Sequence, residues 1–185
     1  MSTERPAAAQ GGWPSGRSRD GGIDEIPLPG VPGRLWLCGK HAIGPDPQAL
    51  LDRVGASSVV CLTEVAELVD RYPEYVAWLR AAHAERAVWF PIPDLHAPES
   101  GAVVALVGDL ARRLRGGDQV VVHCAAGFGR SGTLATCVLI ALGVSAGDAL
   151  ASVAASRPMA GPEVGAQRDL VEAFAGHLAN AAPRG

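Results

Sequence analysis

The chain has 185 residues with 16 basic and 19 acidic side chains, so its net charge is -3 and its isoelectric point about 5.9, which excludes a general binder of long polyanions. Forty-eight per cent of the residues are hydrophobic, and a chain of this length buries roughly 70% of its unfolded surface, so one well-cored domain accounts for it. The 23 glycines and 14 prolines stay below the roughly 25–30% of a low-complexity chain, so any disorder is local.

Residues 1–25 are rich in Gly, Pro, Ser and Ala, with Trp13 as their only aromatic group and few other large apolar ones. They bury too little surface to offset the entropy of ordering and are expected to form a disordered tail. Residues 181–185 are expected to fray, which leaves residues 26–180 as the single domain. The start has no basic segment followed by an apolar one, and the longest apolar stretch, Leu134 to Val144, is shorter than the about 18 residues of a membrane span. The expectation is a cytoplasmic monomer with no membrane and no nucleic-acid partner. Cys38, Cys61, Cys124 and Cys137 read as reduced thiols. His41, His83, His96, His123 and His177 are scattered and no C-x-x-C occurs, so no metal and no cofactor is expected.

Gly33 to Gly39 predicts a first strand and Pro45 to Val54 a short helix. Ser58 to Thr63 is a compact β-branched run of the kind found in a sheet buried on both faces. Pro73 stands at the first helical position of Tyr72 to Ala84, where Tyr75, Val76, Leu79 and Ala82 recur at helical spacing. Ala87 to Phe90 predicts another strand, and Pro91, Pro93 and Pro98 stiffen the loop that follows. Val103, Val104, Leu106, Val107, Leu110 and Leu114 share one side of a helix, with Arg112, Arg113 and Arg115 complementing its C-terminal end and Gly116 stopping it. Gln119 to His123 reads as a central strand, Ser131 to Leu142 as an apolar helix ended by Gly143, and Ser145 with Asp148 as the cap of the next helix, which stops before Pro158. A last helix runs from Val164 to Leu178. The order implies an α/β fold with a central, mostly parallel sheet flanked by helices on both faces.

The stretch Gln119 to Thr133, QVVVHCAAGFGRSGT, places a cysteine at the end of a buried strand, then a glycine-rich turn, then the first turn of a helix. Backbone N–H groups of such a loop point at a common centre, and the helix N-terminus adds partial positive charge, so the loop is built for an anion. The same features favour the thiolate of Cys124, which is the nucleophilic form. Gly127 and Gly129 let the backbone approach a ligand, within a cradle formed by Ala125, Ala126, Gly127, Phe128 and Gly129. Arg130 offers a planar fork to two phosphate oxygens. Ser131 can donate a hydrogen bond to the sulfur, and His123 is expected to order the loop and favour the thiolate.

HCAAGFGRSG resembles the signature of cysteine-dependent protein tyrosine and dual-specificity phosphatases, and the resemblance extends over most of Gly33 to Phe174. GRLWLCG is similar to their first strand, SSVVCLTEVAEL to their "CLTE" strand and turn, and FPIPDLHAP to the loop carrying their general acid. RPMAGPEVGAQRDLVEAF resembles the C-terminal segment that brings a glutamine towards the site. The small atypical group that contains dual-specificity phosphatase 23 shares the G-F-G-R core.

The resemblance implies a metal-independent hydrolase that passes through a phosphocysteine intermediate. Such chemistry needs an acid for the leaving oxygen and then a base for water, and one carboxyl on a loop can serve as both. The resemblance assigns this to Asp94, with Glu163 and Glu99 as alternatives, and assigns orientation of the hydrolytic water to Gln167. His96 either lines the pocket or is a solvated loop side chain, and Phe128 either shapes the pocket wall or packs against a neighbouring loop. Cys38, Cys61 and Cys137 read as buried small groups, one of which could trap an oxidised Cys124. Arg157 reads as structural. The cradle has no lysine, and Lys40 is the only one in the chain, which favours a phosphorylated protein, through phosphotyrosine with phosphoserine or phosphothreonine as further targets, or a small aryl phosphate over a polyphosphorylated inositol. The competing readings are a phosphate-binding module without catalysis, an RNA 5'-phosphatase, an inositol phosphatase and a rhodanese-like sulfurtransferase.

Overall fold

The computed structural model describes residues 21–181. Among them, five strands, β1 (Ile23–Ile26), β2 (Arg34–Gly39), β3 (Ser58–Cys61), β4 (Ala87–Trp89) and β5 (Gln119–Cys124), lie side by side in the order β1-β2-β5-β3-β4. All neighbours are parallel except β1, which runs antiparallel to β2. The helices are α1 (Lys40–Ile43), α2 (Pro47–Val54), α3 (Pro73–Ala81), α4 (Ser100–Arg115), α5 (Gly129–Ala141), α6 (Ala146–Ser156) and α7 (Gly165–Ala181). The mostly parallel α/β sheet covered on both faces is therefore the one the element order implied.

The two-residue period of a strand divides the central side chains between two cores. Leu35, Leu37, Val60, Val120, Val122 and Cys124 pack with α4, α5 and α7, whereas Trp36, Cys38, Val59, Cys61 and Val121 pack with α2 and α3. The continuous apolar run of β5 thus reflects burial on both faces. Local signals set the helix ends: the Asp46 side chain accepts from Ala49 N–H at the start of α2, Gly55 ends that helix at φ 69°, and Ser145 caps α6 through Asp148 N–H.

Three residues assigned to the tail, Ile23, Asp24 and Glu25, instead belong to β1, which pairs Ile23 with Cys38 and Ile26 with Leu35. Composition misjudged them because this strand is ordered by backbone pairing to an existing edge and by burial of Ile26, not by apolar content of its own. Residues 1–20 of the tail and residues 182–185 lie outside the described residues. Helix α7 extends one residue into the end expected to fray. Helix α3 stops at Ala81, short of Ala84, which takes a left-handed φ of 69°. No helix of the described residues is long and apolar enough to cross a membrane.

The site follows from the topology. Strands β2 and β5 end side by side, with Gly39 opposite Cys124. The chain leaving β2 turns to the face covered by α2 and α3, while the chain leaving β5 enters α5 on the other face, so a crevice opens between them. Gly39 makes room there, because a Cβ would stand 2.9 Å from the Ala125 carbonyl oxygen.

Candidate active site

Cys124 ends β5 almost fully buried, and the loop Ala125 to Phe128 leads into α5. Each carbonyl of this loop has a partner. Ala125 O accepts from Lys40 N–H at 3.0 Å, Ala126 O from Arg157 Nη2 at 3.0 Å, and Gly127 O from Arg157 Nε at 2.7 Å. Phe128 O accepts from Gly132 N–H at 2.8 Å and Gly161 N–H at 3.3 Å. The Gly127 N–H donates to Cys124 Sγ at 3.2 Å, and Ser131 Oγ lies 3.3 Å from the same sulfur. The sulfur therefore sits among hydrogen-bond donors at the N-terminal end of α5, where a bound anion is stabilised.

Arg130, in the first turn of α5, is also buried. Its Nη1 and Nη2 donate to Glu67 Oε1 and Oε2 at 2.6 and 2.8 Å, and Nη1 also donates to Ile92 O at 2.8 Å. These bonds hold the Nη1–Nη2 end of the fork, and an anion on the Nε–Nη2 side would share Nη2 with Asp94 Oδ1, 3.1 Å away. Burial opposes the charge of Arg130, but Glu67, Cys124 and Asp94 together raise its pKa. Burial likewise works against the Glu67 carboxylate, yet the hydrogen bonds from Arg130 hold it below the ordinary range.

Glu67 was not found from the sequence. It ends the 3-10 turn Val65–Glu67, where its side chain accepts from Glu64 N–H at 3.0 Å and its carbonyl accepts from Lys40 Nζ at 2.8 Å. The available signal was the E-x-x-E spacing of a capping box.

Asp94 lies in a turn closed by His96 N–H on Pro93 O at 3.1 Å. Its side chain is 67% exposed, and Oδ1 stands 3.1 Å from Arg130 Nη2. His96 Nδ1 donates to the Asp94 carbonyl at 2.7 Å, so this ring braces its own loop. Gln167 is buried and bridges two segments: its Nε2 donates to His96 O at 3.1 Å and its Oε1 accepts from Glu163 N–H at 2.9 Å. Glu163 lies against the cradle, where a Cβ on Gly129 would come within 1.9 Å of its Oε2. Glu99 is the N-cap residue of α4, outside this set of contacts.

His123 faces the opposite core from Cys124. Its Nδ1 donates to the Cys124 carbonyl at 3.3 Å and its Nε2 accepts from Tyr75 Oη at 2.7 Å. Complete burial pushes its pKa down to about 4. It is therefore neutral at pH 7, and its ring hydrogen bonds tie the end of β5 to Tyr75. Phe128 packs beneath the Arg157 guanidinium, 5.2 Å from ring centre to Cζ. Cys38 and Cys61 belong to the second core. Burial pushes Cys61 up to about 11 and Cys137 up to about 12, so both remain thiols.

Residues 31–173 match the family model described as PTP-SAK, "Swiss Army Knife protein, DSP-PTPase phosphatase domain". Among solved structures, the active form of Tk-PTP is similar at 25% identity and a TM-score of 0.60 over 82% of this chain and 96% of that one. Kinase associated phosphatase with serine for its catalytic cysteine is similar at 20% identity and a TM-score of 0.71, covering 85% of this chain and 96% of that one. PTPMT1 in complex with PI(5)P is similar at 16% identity and a TM-score of 0.63 over 80% and 94%. The last two likenesses carry the fold alone. Over three quarters of its length, then, the chain belongs to the DSP-PTPase family of phosphatases.

Proposed function

We propose that this phosphatase cleaves phosphotyrosine and related aryl phosphates through a phosphocysteine intermediate. The reading is carried by the thiol of Cys124 at the centre of a loop whose carbonyls all turn outward, with the Gly127 N–H 3.2 Å from its sulfur. In the first step the Cys124 thiolate attacks phosphorus while the Nε–Nη2 side of Arg130 and the loop amides hold the phosphoryl oxygens. The bond to the aryl oxygen breaks, and protonated Asp94 delivers its proton to that oxygen. In the second step water attacks phosphorus, Asp94 takes the proton from water, and the S–P bond breaks, leaving a thiolate that the Ser131 hydroxyl stabilises. Gln167 is the side chain assigned to orient that water, which requires its amide to leave the bridge between His96 and Glu163. His123 positions the end of β5.

The choice of substrate rests on charge. The loops around Cys124 carry Glu64, Glu67, Asp94 and Glu163, and Lys40 is the only lysine in the chain. One dianionic phosphate is matched by Arg130 and the loop amides, whereas further phosphates would meet carboxylates.

The test is hydrolysis by the purified protein of a phosphotyrosyl peptide, a phosphoseryl peptide and phosphatidylinositol 5-phosphate in vesicles, with para-nitrophenyl phosphate as reference and Cys124→Ser as blank. Metal-independent, vanadate-sensitive turnover that is fastest on the phosphotyrosyl peptide is expected. A faster reaction on the lipid would replace the proposed substrate, and activity that needed a divalent metal would remove the thiolate mechanism.

A further inference from the structure

The side chain of Arg157 is fully buried, an arrangement that needs partners for all of its donors. Its Nε and Nη2 donate to Gly127 O and Ala126 O, two successive carbonyls of the cradle, at 2.7 and 3.0 Å. Its Nη1 donates to Asp24 Oδ2 on β1 at 2.5 Å. The same nitrogen reaches Gly21 O at 3.3 Å and Gly22 O at 3.4 Å, just before β1. Phe128 lies against the guanidinium face. One cation thus spans the N-terminal strand and the middle of the cradle.

A trans peptide unit points its C=O and N–H in opposite directions. The unit that carries Ala126 O also carries the Gly127 N–H, and that N–H is on Cys124 Sγ. The unit that carries Gly127 O also carries the Phe128 N–H. Drawing both oxygens outward to Arg157 therefore turns both amides inward. Such restraint is needed because Gly127, at φ 82°, has no Cβ to stop the peptide on either side of it from rotating. A cation on a carbonyl oxygen also withdraws electron density from the attached N–H, which makes it a stronger donor to an anion.

We propose that Arg157, clamped by Asp24, is a positioning residue for the phosphate cradle, and that β1 is through it a working part of the anion site. The proposal rests on the phosphatase reading for its kinetic consequences, but its effect on anion binding stands apart from turnover. Without the clamp the two amides lose their fixed orientation, so affinity for phosphate and reactivity of the thiol fall together. Asp24 acts at one remove, by fixing the guanidinium that fixes the loop.

The experiment uses the full chain and compares wild type with Arg157→Met, Arg157→Lys, Asp24→Asn and Asp24→Ala. Vanadate and inorganic phosphate dissociation constants, the rate of Cys124 alkylation by iodoacetamide at pH 6, and kcat and KM on para-nitrophenyl phosphate are measured beside the thermal midpoint. Arg157→Met is expected to weaken both anions and slow alkylation at least about tenfold, because charge-assisted donors to two loop carbonyls are lost. Arg157→Lys is expected to restore part of this, with one donor group instead of a fork. The Asp24 variants are expected to raise KM and both dissociation constants about threefold or more. They remain decisive if Arg157→Met does not fold. Folded variants that lose only thermal stability, with anion affinity and alkylation rate unchanged, would overturn the proposal. Phosphate binding is measured directly, so a wild-type protein that binds phosphate without hydrolysing anything would count against the phosphatase reading while still testing the clamp.

Discussion

Glu67 grips Arg130 end-on, with Oε1 2.6 Å from Nη1 and Oε2 2.8 Å from Nη2, and so fixes the plane in which the guanidinium can meet an anion. A long side chain that must bind an anion loses less entropy on binding if one end of its fork is already held. Glu67→Gln keeps the shape but removes the charge and one acceptor oxygen. It is expected to lower kcat/KM on para-nitrophenyl phosphate roughly ten- to a hundredfold, mainly through KM. An unchanged KM would show that Arg130 orients itself.

His123 carries a pH dependence whose sign follows from its burial. Its pKa is lowered from 6.5 to about 4 in the fold. Between these values the unfolded chain binds a proton that the folded chain does not, so stability falls as the pH drops from about 6.5 towards 4. The loss from this one group is on the order of 3 kcal/mol. Urea unfolding at pH 7.5 and pH 4.5 measures it, and His123→Asn is expected to flatten the difference. A profile in the variant as steep as in wild type would assign the dependence to other groups.

What could be read in the sequence was what lies close along the chain. Cys124, Arg130 and Ser131 fall within one loop and one helical turn, so strand end, glycines and helix start fix their meeting without knowledge of the rest of the fold. Asp94 came from the resemblance of FPIPDLHAP to a loop that carries a general acid, and its carboxylate stands 3.1 Å from Arg130 Nη2. Glu67 was not legible, since its partner Arg130 is 63 positions away and a capping-box glutamate looks the same with or without a guanidinium beside it. Asp24 and Arg157 are 133 positions apart, and an acidic residue among glycines gives no sign of the sheet edge it will join. His123 was recognised beside the cysteine, but its charge state depends on burial in a core contributed by other elements.

The cradle glycines differ in what a side chain would meet, which ranks their substitutions. A Cβ on Gly132 would stand 2.2 Å from Gly161 N, and one on Gly127 would stand 2.5 Å from the Cys38 backbone at a φ of 82°. Neither backbone can move without shifting a neighbouring segment. On Gly129 the clash is with the end of the Glu163 side chain, which can swing away. Gly132→Ala and Gly127→Ala are expected to cost about 1–3 kcal/mol or more each, and Gly129→Ala clearly less. Thermal unfolding of the three variants checks the order, and equal losses would contradict it.

The four cysteines should separate cleanly by reactivity. Cys61 and Cys137 are held as thiols by burial, at about 11 and about 12, and Cys38 is fully buried in the second core. Brief treatment of the native protein with iodoacetamide at pH 7 is expected to add one group, on Cys124, with vanadate slowing the addition. Intact mass and peptide mapping give the count and the position. Two adducts on folded protein would mean that a second cysteine is open to the solvent.

Asp94 and Glu163 touch the site at different residues, Arg130 and Gly129, and leaving-group chemistry distinguishes them. Protonation matters most when the departing oxygen is a poor leaving group, so loss of the acid slows phenyl phosphate more than para-nitrophenyl phosphate. Asp94→Ala is expected to lower kcat on phenyl phosphate about a hundredfold or more, within the range general acids supply, and to make the rate depend steeply on leaving-group pKa. Glu163→Gln is expected to keep the shallow dependence of wild type, because that carboxylate rests against Gly129 while Asp94 stands 3.1 Å from the Arg130 fork. If the steep dependence appears in Glu163→Gln and is absent from Asp94→Ala, the acid is Glu163 and the Asp94 loop serves only to complete the pocket.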